Sequence, residues 1–157
     1  MNDTVELTIG NPAPDFILPT DEGKDFHLNE NKGNSIILYF YPKDNTAGCT
    51  TEARAFQTHL DRFKKAGYIV VGVSRDSLRK HQSFKAKQEL TFSLLSDETG
   101  SVCKKYDVIK EKSMYGRKYM GVERSTFVID SEGIIHSIYR KVKPLTHVND
   151  LLKDLGI

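Results

Sequence analysis

The fold is decided by one stretch, Tyr39-Phe40-Tyr41-Pro42-Lys43-Asp44-Asn45-Thr46-Ala47-Gly48-Cys49-Thr50-Thr51-Glu52-Ala53. Its first residues are apolar and β-prone and end at a proline, which predicts a strand that runs into a turn. Cys49 then opens a helix. The N–H groups of a first helical turn lack intrahelical acceptors and lie at the positive end of the helix dipole, which favours a thiolate. Cys49 is therefore a candidate nucleophile.

A thiolate at neutral pH needs more than the helix end. An unperturbed thiol is only about 3% ionised at pH 7, and a helix terminus supplies at most about 2 kcal/mol. We therefore expect a second contributor, which would be a cation or a hydroxyl from elsewhere in the chain.

Length and composition indicate one domain over residues 1–157, large enough to fold without disulfides. The two cysteines cannot form a disulfide scaffold. The net charge of +2 comes from 23 basic and 21 acidic residues mixed along the chain, which argues against binding nucleic acid or a membrane surface. Residues 1–6 start no signal peptide and no apolar run is long enough to span a membrane, so we expect a cytoplasmic protein.

The apolar runs predict a parallel βαβ unit. Residues 35–41 and 68–74 are nearly continuous apolar runs, typical of strands that are buried on both faces. The single helix between them, which ends at the glycine cap of Gly67, has one apolar face. This face holds Cys49, Ala53, Phe56, Leu60 and Phe63.

The second half of the chain predicts shorter elements. A helix over about residues 77–89, capped by Asp76 or Ser77, precedes a strand at 92–95. Ser96 or Asp97 then caps a short helix that carries Cys103 on its apolar side. Residues 109–121 show no periodicity, and we interpret them as a solvated loop that holds the basic run 110–112. Residues 125–129 and 134–139 flank a turn and predict an antiparallel hairpin, and a last helix follows Thr146.

This order of elements is typical of the thioredoxin-like α/β fold, which has a mixed central sheet flanked by helices. The proline-rich residues 11–20 add an extended N-terminal segment. Thioredoxin itself carries Cys-x-x-Cys at the helix start, whereas Cys49 is followed by Thr50, Thr51 and Glu52. The dithiol route is therefore unavailable, and the sequence favours single-thiol chemistry.

The run from Phe40 to Glu52 resembles the active-site motif of the peroxiredoxins, specifically the bacterioferritin comigratory protein or peroxiredoxin Q subfamily. The general family pattern Pro-x-x-x-Thr-x-x-Cys is met by Pro42, Thr46 and Cys49. The resemblance extends from residue 10 to the last helix, and it puts the family's active-site arginine at Arg124.

The resemblance implies a thiol-dependent peroxidase that reduces hydrogen peroxide and small organic hydroperoxides through a sulfenic acid on Cys49. The backbone N–H groups near Gly48, the Thr46 hydroxyl and the Arg124 guanidinium would hold the two peroxide oxygens. Arg124 would also be the second contributor to thiolate stability. Pro42 would shield the sulfur from water.

Glu52 is expected to brace the first helical turn through hydrogen bonds rather than to take part in the chemistry. Met114 and Tyr115, in the region interpreted as a loop, are assigned to the mobile surface rather than to the approach to the active site.

The resolving cysteine departs from the subfamily pattern. Many peroxiredoxin Q proteins carry a second cysteine five residues after the first, where this chain has Arg54. The remaining thiol, Cys103, is interpreted as structural; the alternatives are that it resolves Cys49 after local unfolding or that it forms a disulfide between chains. We therefore predict a one-cysteine cycle, in which thioredoxin, glutaredoxin or a small thiol attacks the sulfenic acid.

No metal or cofactor is expected, because the five histidines show no metal-ligand spacing and the chain has no Gly-rich phosphate loop. The resemblance favours a monomer. Two other functions remain open at this point. One is a redox sensor or holdase switched by oxidation of Cys49. The other is a disulfide oxidoreductase of thioredoxin fold, which the absent second cysteine of the pair disfavours.

Overall fold

A computed structural model describes residues 7–157, so the expectation drawn from residues 1–6 lies outside the described part of the chain. The described strands are β1 (Ile17–Pro19), β2 (Asp25–His27), β3 (Ser35–Phe40), β4 (Tyr68–Ser74), β5 (Ser93–Ser96), β6 (Ile109–Met114), β7 (Arg117–Val122), β8 (Ser125–Ile129) and β9 (Ile135–Arg140). The described α-helices are α1 (Ala47–Thr58), α2 (Leu60–Lys65), α3 (Leu78–Gln88), α4 (Ser101–Lys105) and α5 (His147–Leu155). Within residues 7–157, no helix has the length and apolar character that a membrane span requires.

The central sheet is mixed, as predicted. Its strand order is β5-β4-β3-β8-β9, with β3, β4 and β5 parallel and with β8 and β9 antiparallel to their neighbours. The two long apolar runs form β3 and β4, which lie at the centre of the sheet because their side chains are buried on both faces. The predicted hairpin is confirmed as β8 and β9.

Two hydrophobic cores lie on opposite faces of this sheet, because alternate residues of a strand point to opposite sides. One core packs α1, α2, α3 and α5 on the sheet and contains Cys49 with Tyr39 of β3. The other packs α4 and the N-terminal segment on the opposite face and contains Cys103 with Leu38 and Phe40 of β3. The sheet therefore separates the two cysteines.

The long helix predicted after Cys49 is two helices, because the chain leaves helical geometry at His59 (φ −105°, ψ 12°). The hydroxyl of Thr58 donates to the carbonyl oxygen of Arg54 at 2.9 Å, a bond that commonly bends helices. The apolar face continues across the break, since Leu60 and Phe63 of α2 are buried with the side chains of α1.

Contrary to the prediction, neither Ser96 nor Asp97 occupies the N-cap position of α4, but the Asp97 side chain does accept hydrogen bonds from the first turn of this helix. Gly100 occupies the N-cap position in a left-handed conformation (φ 77°). The Asp97 carboxylate reaches from outside the helix and accepts from the backbone N–H groups of Val102 and Cys103 at 3.3 and 2.8 Å. Ser77, one of the two residues expected to cap α3, accepts from the Lys80 N–H and so caps that helix.

The interpretation of residues 109–121 as a loop is wrong. They form most of an antiparallel hairpin in which β6 and β7 pair in register from Ile109↔Val122 to Met114↔Arg117. The connection is a two-residue turn at Tyr115 and Gly116, with φ of 53° and 78°. Two successive positive φ values are the geometry of a type I′ turn, whose twist suits a hairpin. This hairpin is a separate two-stranded sheet outside the central one.

Candidate active site

The junction between β3 and α1 brings Cys49 to the third position of the helix, with 2% of its surface exposed. Asn45 has a left-handed backbone conformation (φ 64°) just before the N-cap residue Thr46. The Thr46 hydroxyl donates to the Lys43 carbonyl oxygen at 2.8 Å, and no described side chain caps α1. The first-turn N–H groups around Gly48 are therefore left for a ligand to bind.

Arg124 connects this junction to the loop before β8. Its Nη2 donates to the Cys49 sulfur at 3.5 Å, and its Nη1 donates to Glu52 Oε1 at 2.8 Å. Burial acts to lower the pKa of Arg124, but the charges of Glu52 and Cys49 raise it above its usual value. The guanidinium is a fixed cation beside the thiol, and it is the second group expected to stabilise the Cys49 thiolate.

Glu52 is fully buried and binds Arg124, which corrects the expectation that it braces the first helical turn. Its Oε1 accepts from the guanidinium, while its Oε2 has no hydrogen-bond partner among the described residues. Burial raises the pKa of Glu52 to about 7, although Arg124 acts in the opposite direction. The carboxyl group therefore holds or releases a proton close to neutral pH.

This titration makes stability depend on pH. The folded-state pKa of about 7 lies above the ordinary value of 4.5, so between these values the folded protein binds more protons than the unfolded one. The contribution of Glu52 to the free energy of unfolding is then expected to fall by about 3 kcal/mol as the pH rises from 4.5 through 7. Urea unfolding of the wild type and of Glu52→Gln at a series of pH values measures this loss, because the difference in free energy of unfolding between the two proteins should change by about that amount over the same range.

Glu132→Gln, which alters an exposed glutamate, is the matched control for this measurement and should keep the pH dependence of the wild type. An unchanged slope in Glu52→Gln would contradict the assignment of the titration to Glu52.

A cavity of about 680 Å³ opens above Cys49. The β3–α1 junction forms one part of its wall, and the hairpin of β6 and β7 forms another. Its lining residues are Pro42, Lys43, Thr46, Gly48, Cys49, Arg75, Asp76, Glu98, Lys112, Met114, Tyr119, Met120, Gly121, Val122 and Arg124.

The cavity contains every site residue suggested by the motif except Glu52, which contacts it through Arg124. Cys103 lies outside it, in the core on the other face of the sheet. Gly48 fits a close approach, since a Cβ there would lie 3.1 Å from Arg124 Nη2 and 3.2 Å from Pro144 Cγ. Met114 lines the cavity from the end of β6, whereas Tyr115 at the turn is 99% exposed.

The hairpin adds Lys112, a residue that the sequence analysis assigned to the solvated loop. Other lysines of the hairpin form ion pairs at the surface, Lys110 with Asp107 and Lys118 of β7 with Glu111. Lys112 instead lines the cavity. The period-2 alternation that would have placed it on the inner face is weak, because most residues of this hairpin are exposed.

A buried polar network holds the junction in place, and the sequence analysis missed it. The Asp44 carboxylate accepts from the Tyr41 hydroxyl at 2.6 Å and lies 2.6 Å from His81 Nδ1, while its backbone N–H donates to Asp76 at 2.8 Å. His81 Nε2 lies 2.9 Å from the carbonyl oxygen of Leu95, so both ring nitrogens face acceptors. Although burial acts to lower it, the pKa of His81 is raised by Asp44. The contacts of His81 and Asp44 therefore fix the loop that leads to Cys49.

Asp44, Asp76 and His81 each place one atom that could bind a metal ion within 4.8 Å of the other two. The side chains of all three residues are engaged in hydrogen bonds with protein partners. A cation would have to displace these bonds, so the absence of a metal stays the prediction for this cluster.

Comparison with known proteins agrees with this geometry. The model of the AhpC/TSA family matches residues 9–138. The putative peroxiredoxin bcp of Coxiella burnetii is 48% identical over 148 residues, which cover 94% of this chain and 98% of the relative. The peroxiredoxin Bcp of Bacillus subtilis is 46% identical over 149 residues, which cover 95% of both chains.

Solved structures show the same fold. A structure of the Xanthomonas campestris bacterioferritin comigratory protein, from a study of its alkyl peroxide reduction activity, has a TM-score of 0.85 at 43% identity and covers 90% of both chains. A cysteine-to-serine variant of Xylella fastidiosa PrxQ has a TM-score of 0.90 at 39% identity and covers 97% of both chains. Because the family model matches most of this chain and both relatives are covered over most of their length, the chain belongs to the AhpC/TSA family and is a thiol-dependent peroxidase with the thioredoxin-like fold of the peroxiredoxins.

Proposed function

We propose that the protein reduces hydrogen peroxide and small organic hydroperoxides at Cys49. The observation that carries the proposal is the contact at 3.5 Å between Arg124 Nη2 and the Cys49 sulfur, at the start of a helix and inside an open cavity. The helix end and the guanidinium both favour the thiolate. The thiolate attacks the terminal peroxide oxygen, the O–O bond breaks, and Cys49 becomes a sulfenic acid while water or an alcohol leaves.

The remaining motif residues position the peroxide in this proposal. The Thr46 hydroxyl donates its hydrogen bond to the Lys43 carbonyl oxygen. The lone pairs of the Thr46 oxygen can therefore accept from the O–H of the hydroperoxide. The N–H groups near Gly48 and the guanidinium of Arg124 stabilise the negative charge as it moves from sulfur to oxygen. Pro42 lines the cavity beside the thiol and limits the access of water.

We further propose a one-cysteine cycle. Cys103 is buried on the opposite face of the sheet from Cys49, and burial together with Asp97 raises the pKa of its thiol well above the usual range. Helix α1 is also tied to its neighbours, since Arg54 donates to the carbonyl oxygen of Gln88 at 2.8 Å and Gln57 pairs with Thr91. These contacts oppose the local unfolding that a disulfide between the two cysteines would require.

Cys103→Ser is therefore expected to keep multiple-turnover peroxidase activity within about twofold of the wild type, because its thiol takes no part in the cycle. Peroxide consumption with a thiol reductant measures this. Mass spectrometry after one equivalent of peroxide is the second readout, and it should find a sulfenic acid on Cys49.

A Cys49–Cys103 disulfide, or a Cys103→Ser protein that stops after one turnover, would contradict the one-cysteine cycle. A wild-type protein that does not consume peroxide at all would contradict the proposed function instead.

The physiological reductant in this proposal is an external thiol of the thioredoxin, glutaredoxin or small-molecule class. We also propose that the protein acts in the cytoplasm as a monomer. Both cysteines are free, which suits a reducing compartment. Sedimentation at micromolar concentration in reduced and oxidised states tests the monomer.

A further inference from the structure

Lys112 is held in the cavity by the shape of the hairpin. It faces Tyr119 across the β6–β7 pair, and its aliphatic stem crosses Gly121 on the same face. A Cβ at Gly121 would lie 3.1 Å from Lys112 Cδ and 3.1 Å from a ring carbon of Tyr119, so the glycine leaves the space that the stem occupies. The side chain is only half-exposed and lines the same cavity as Cys49 and Arg124.

This position is electrostatically unfavourable for an ammonium group. Among residues 7–157 the Lys112 side chain forms no hydrogen bond or ion pair, and it lies near the fixed charge of Arg124. Burial first, and then Arg124, lower the pKa of Lys112, while Cys49 and Glu123 act in the opposite direction. An unpaired cation held beside another cation in a cleft is the arrangement expected at a functional group rather than at a structural one.

The reaction needs a proton on the leaving oxygen, and Lys112 lines the cavity in which that oxygen is released. In-line attack by the Cys49 sulfur places the leaving oxygen on the side of the attacked oxygen opposite the sulfur, and the leaving oxygen takes the electron pair of the broken O–O bond. Besides the β3–α1 junction, the cavity is lined by the hairpin and by Arg75, Asp76, Glu98 and Arg124. Arginine does not give up its proton in proteins, whereas a lysine of lowered basicity does.

We propose that Lys112 is the general acid that protonates the leaving oxygen of the peroxide, a role that deepens the proposed function and rests on it. The sulfur–oxygen bond forms as the oxygen–oxygen bond breaks, and the proton moves from Nζ to the departing alkoxide or hydroxide. The products are the Cys49 sulfenic acid, an alcohol or water, and a neutral Lys112. Solvent at the open side of the cavity then returns the proton to Lys112.

The test compares two peroxides that differ in the basicity of the leaving oxygen. Tert-butyl hydroperoxide releases a strongly basic alkoxide that needs a proton, whereas peracetic acid releases acetate, which does not. Stopped-flow oxidation of Cys49 gives the rate constant for each peroxide in the wild type and in Lys112→Met, Lys112→Arg and Lys118→Met. Lys118, which pairs with Glu111 on the same hairpin, is the matched control.

Lys112→Met is expected to react about 100-fold more slowly with tert-butyl hydroperoxide and within a few-fold of the wild type with peracetic acid. Lys112→Arg should be similarly slow with tert-butyl hydroperoxide, because it keeps the positive charge but cannot donate the proton. Lys118→Met should match the wild type with both peroxides.

Three results would overturn the proposal. Equal slowing of Lys112→Met with both peroxides would indicate a general electrostatic effect. Wild-type rates in Lys112→Arg would show that charge alone suffices, and wild-type rates in Lys112→Met would show that the lysine is dispensable. In each case Cys49 still reacts with peroxide, so the proposed function would stand.

Discussion

Cys49→Ser is expected to lower peroxide consumption to the rate of the uncatalysed reaction. A serine hydroxyl at this position stays protonated at neutral pH and is a far weaker nucleophile than a thiolate, so no sulfur–oxygen bond forms. The substitution replaces one atom in a site that is 2% exposed, and the fold is expected to remain. Peroxide consumption with a thiol reductant, alongside circular dichroism, measures both effects.

The second cysteine supplies the control for this experiment. Cys103→Ser makes the same chemical change at a site that is just as buried but lies on the other face of the sheet. Only the change at Cys49 should remove activity. Turnover in Cys49→Ser would place the nucleophile elsewhere and would contradict the proposed mechanism.

Arg124→Gln is expected to lower the rate constant for Cys49 oxidation by about 100- to 1,000-fold, the usual effect of removing one donor to developing charge. It removes the donor at 3.5 Å from the sulfur and with it the cation that favours the thiolate. Stopped-flow oxidation with hydrogen peroxide measures the loss at several pH values.

The same substitution also affects stability, because it leaves the Glu52 carboxylate buried without its partner. Breaking such a pair costs about 3–5 kcal/mol when the remaining group stays charged. Glu52 avoids part of this cost by taking up a proton, so the loss of stability should be larger at pH 8 than at pH 6. The double variant Glu52→Gln and Arg124→Gln should recover stability at pH 8 but not the reaction rate. Recovery of the rate in the double variant would contradict a direct role for Arg124.

The central part of the fold could be predicted from the sequence because the signal there is local. The two buried strands β3 and β4 are continuous apolar runs, and the helices between them show period 3.6. The hairpin of β6 and β7 gave no such signal. Its two strands form their own small sheet and are mostly exposed, so no apolar alternation marks them, and its turn is Tyr115-Gly116 rather than the usual Asn-Gly.

The site was predictable to the same extent. The motif located Cys49 and its neighbours in sequence, and the resemblance located Arg124. The contact of Glu52 with Arg124, over 72 positions, exists only in three dimensions. Lys112 and the His81–Asp44 pair were missed for the same reason, because a lone lysine or histidine in a helix or hairpin has no local pattern that reports what it faces.

The separation of the two thiols by the central sheet has a kinetic consequence for the proposed cycle. With no internal thiol to capture it, each sulfenic acid on Cys49 is partitioned between a reducing thiol and a second molecule of peroxide, which would produce the irreversible sulfinic acid. The fraction of enzyme lost in each turnover then depends on the ratio of peroxide to reductant in the surroundings. Such an enzyme stays active when the peroxide concentration is low, and it is progressively inactivated when peroxide is supplied faster than the reducing thiol.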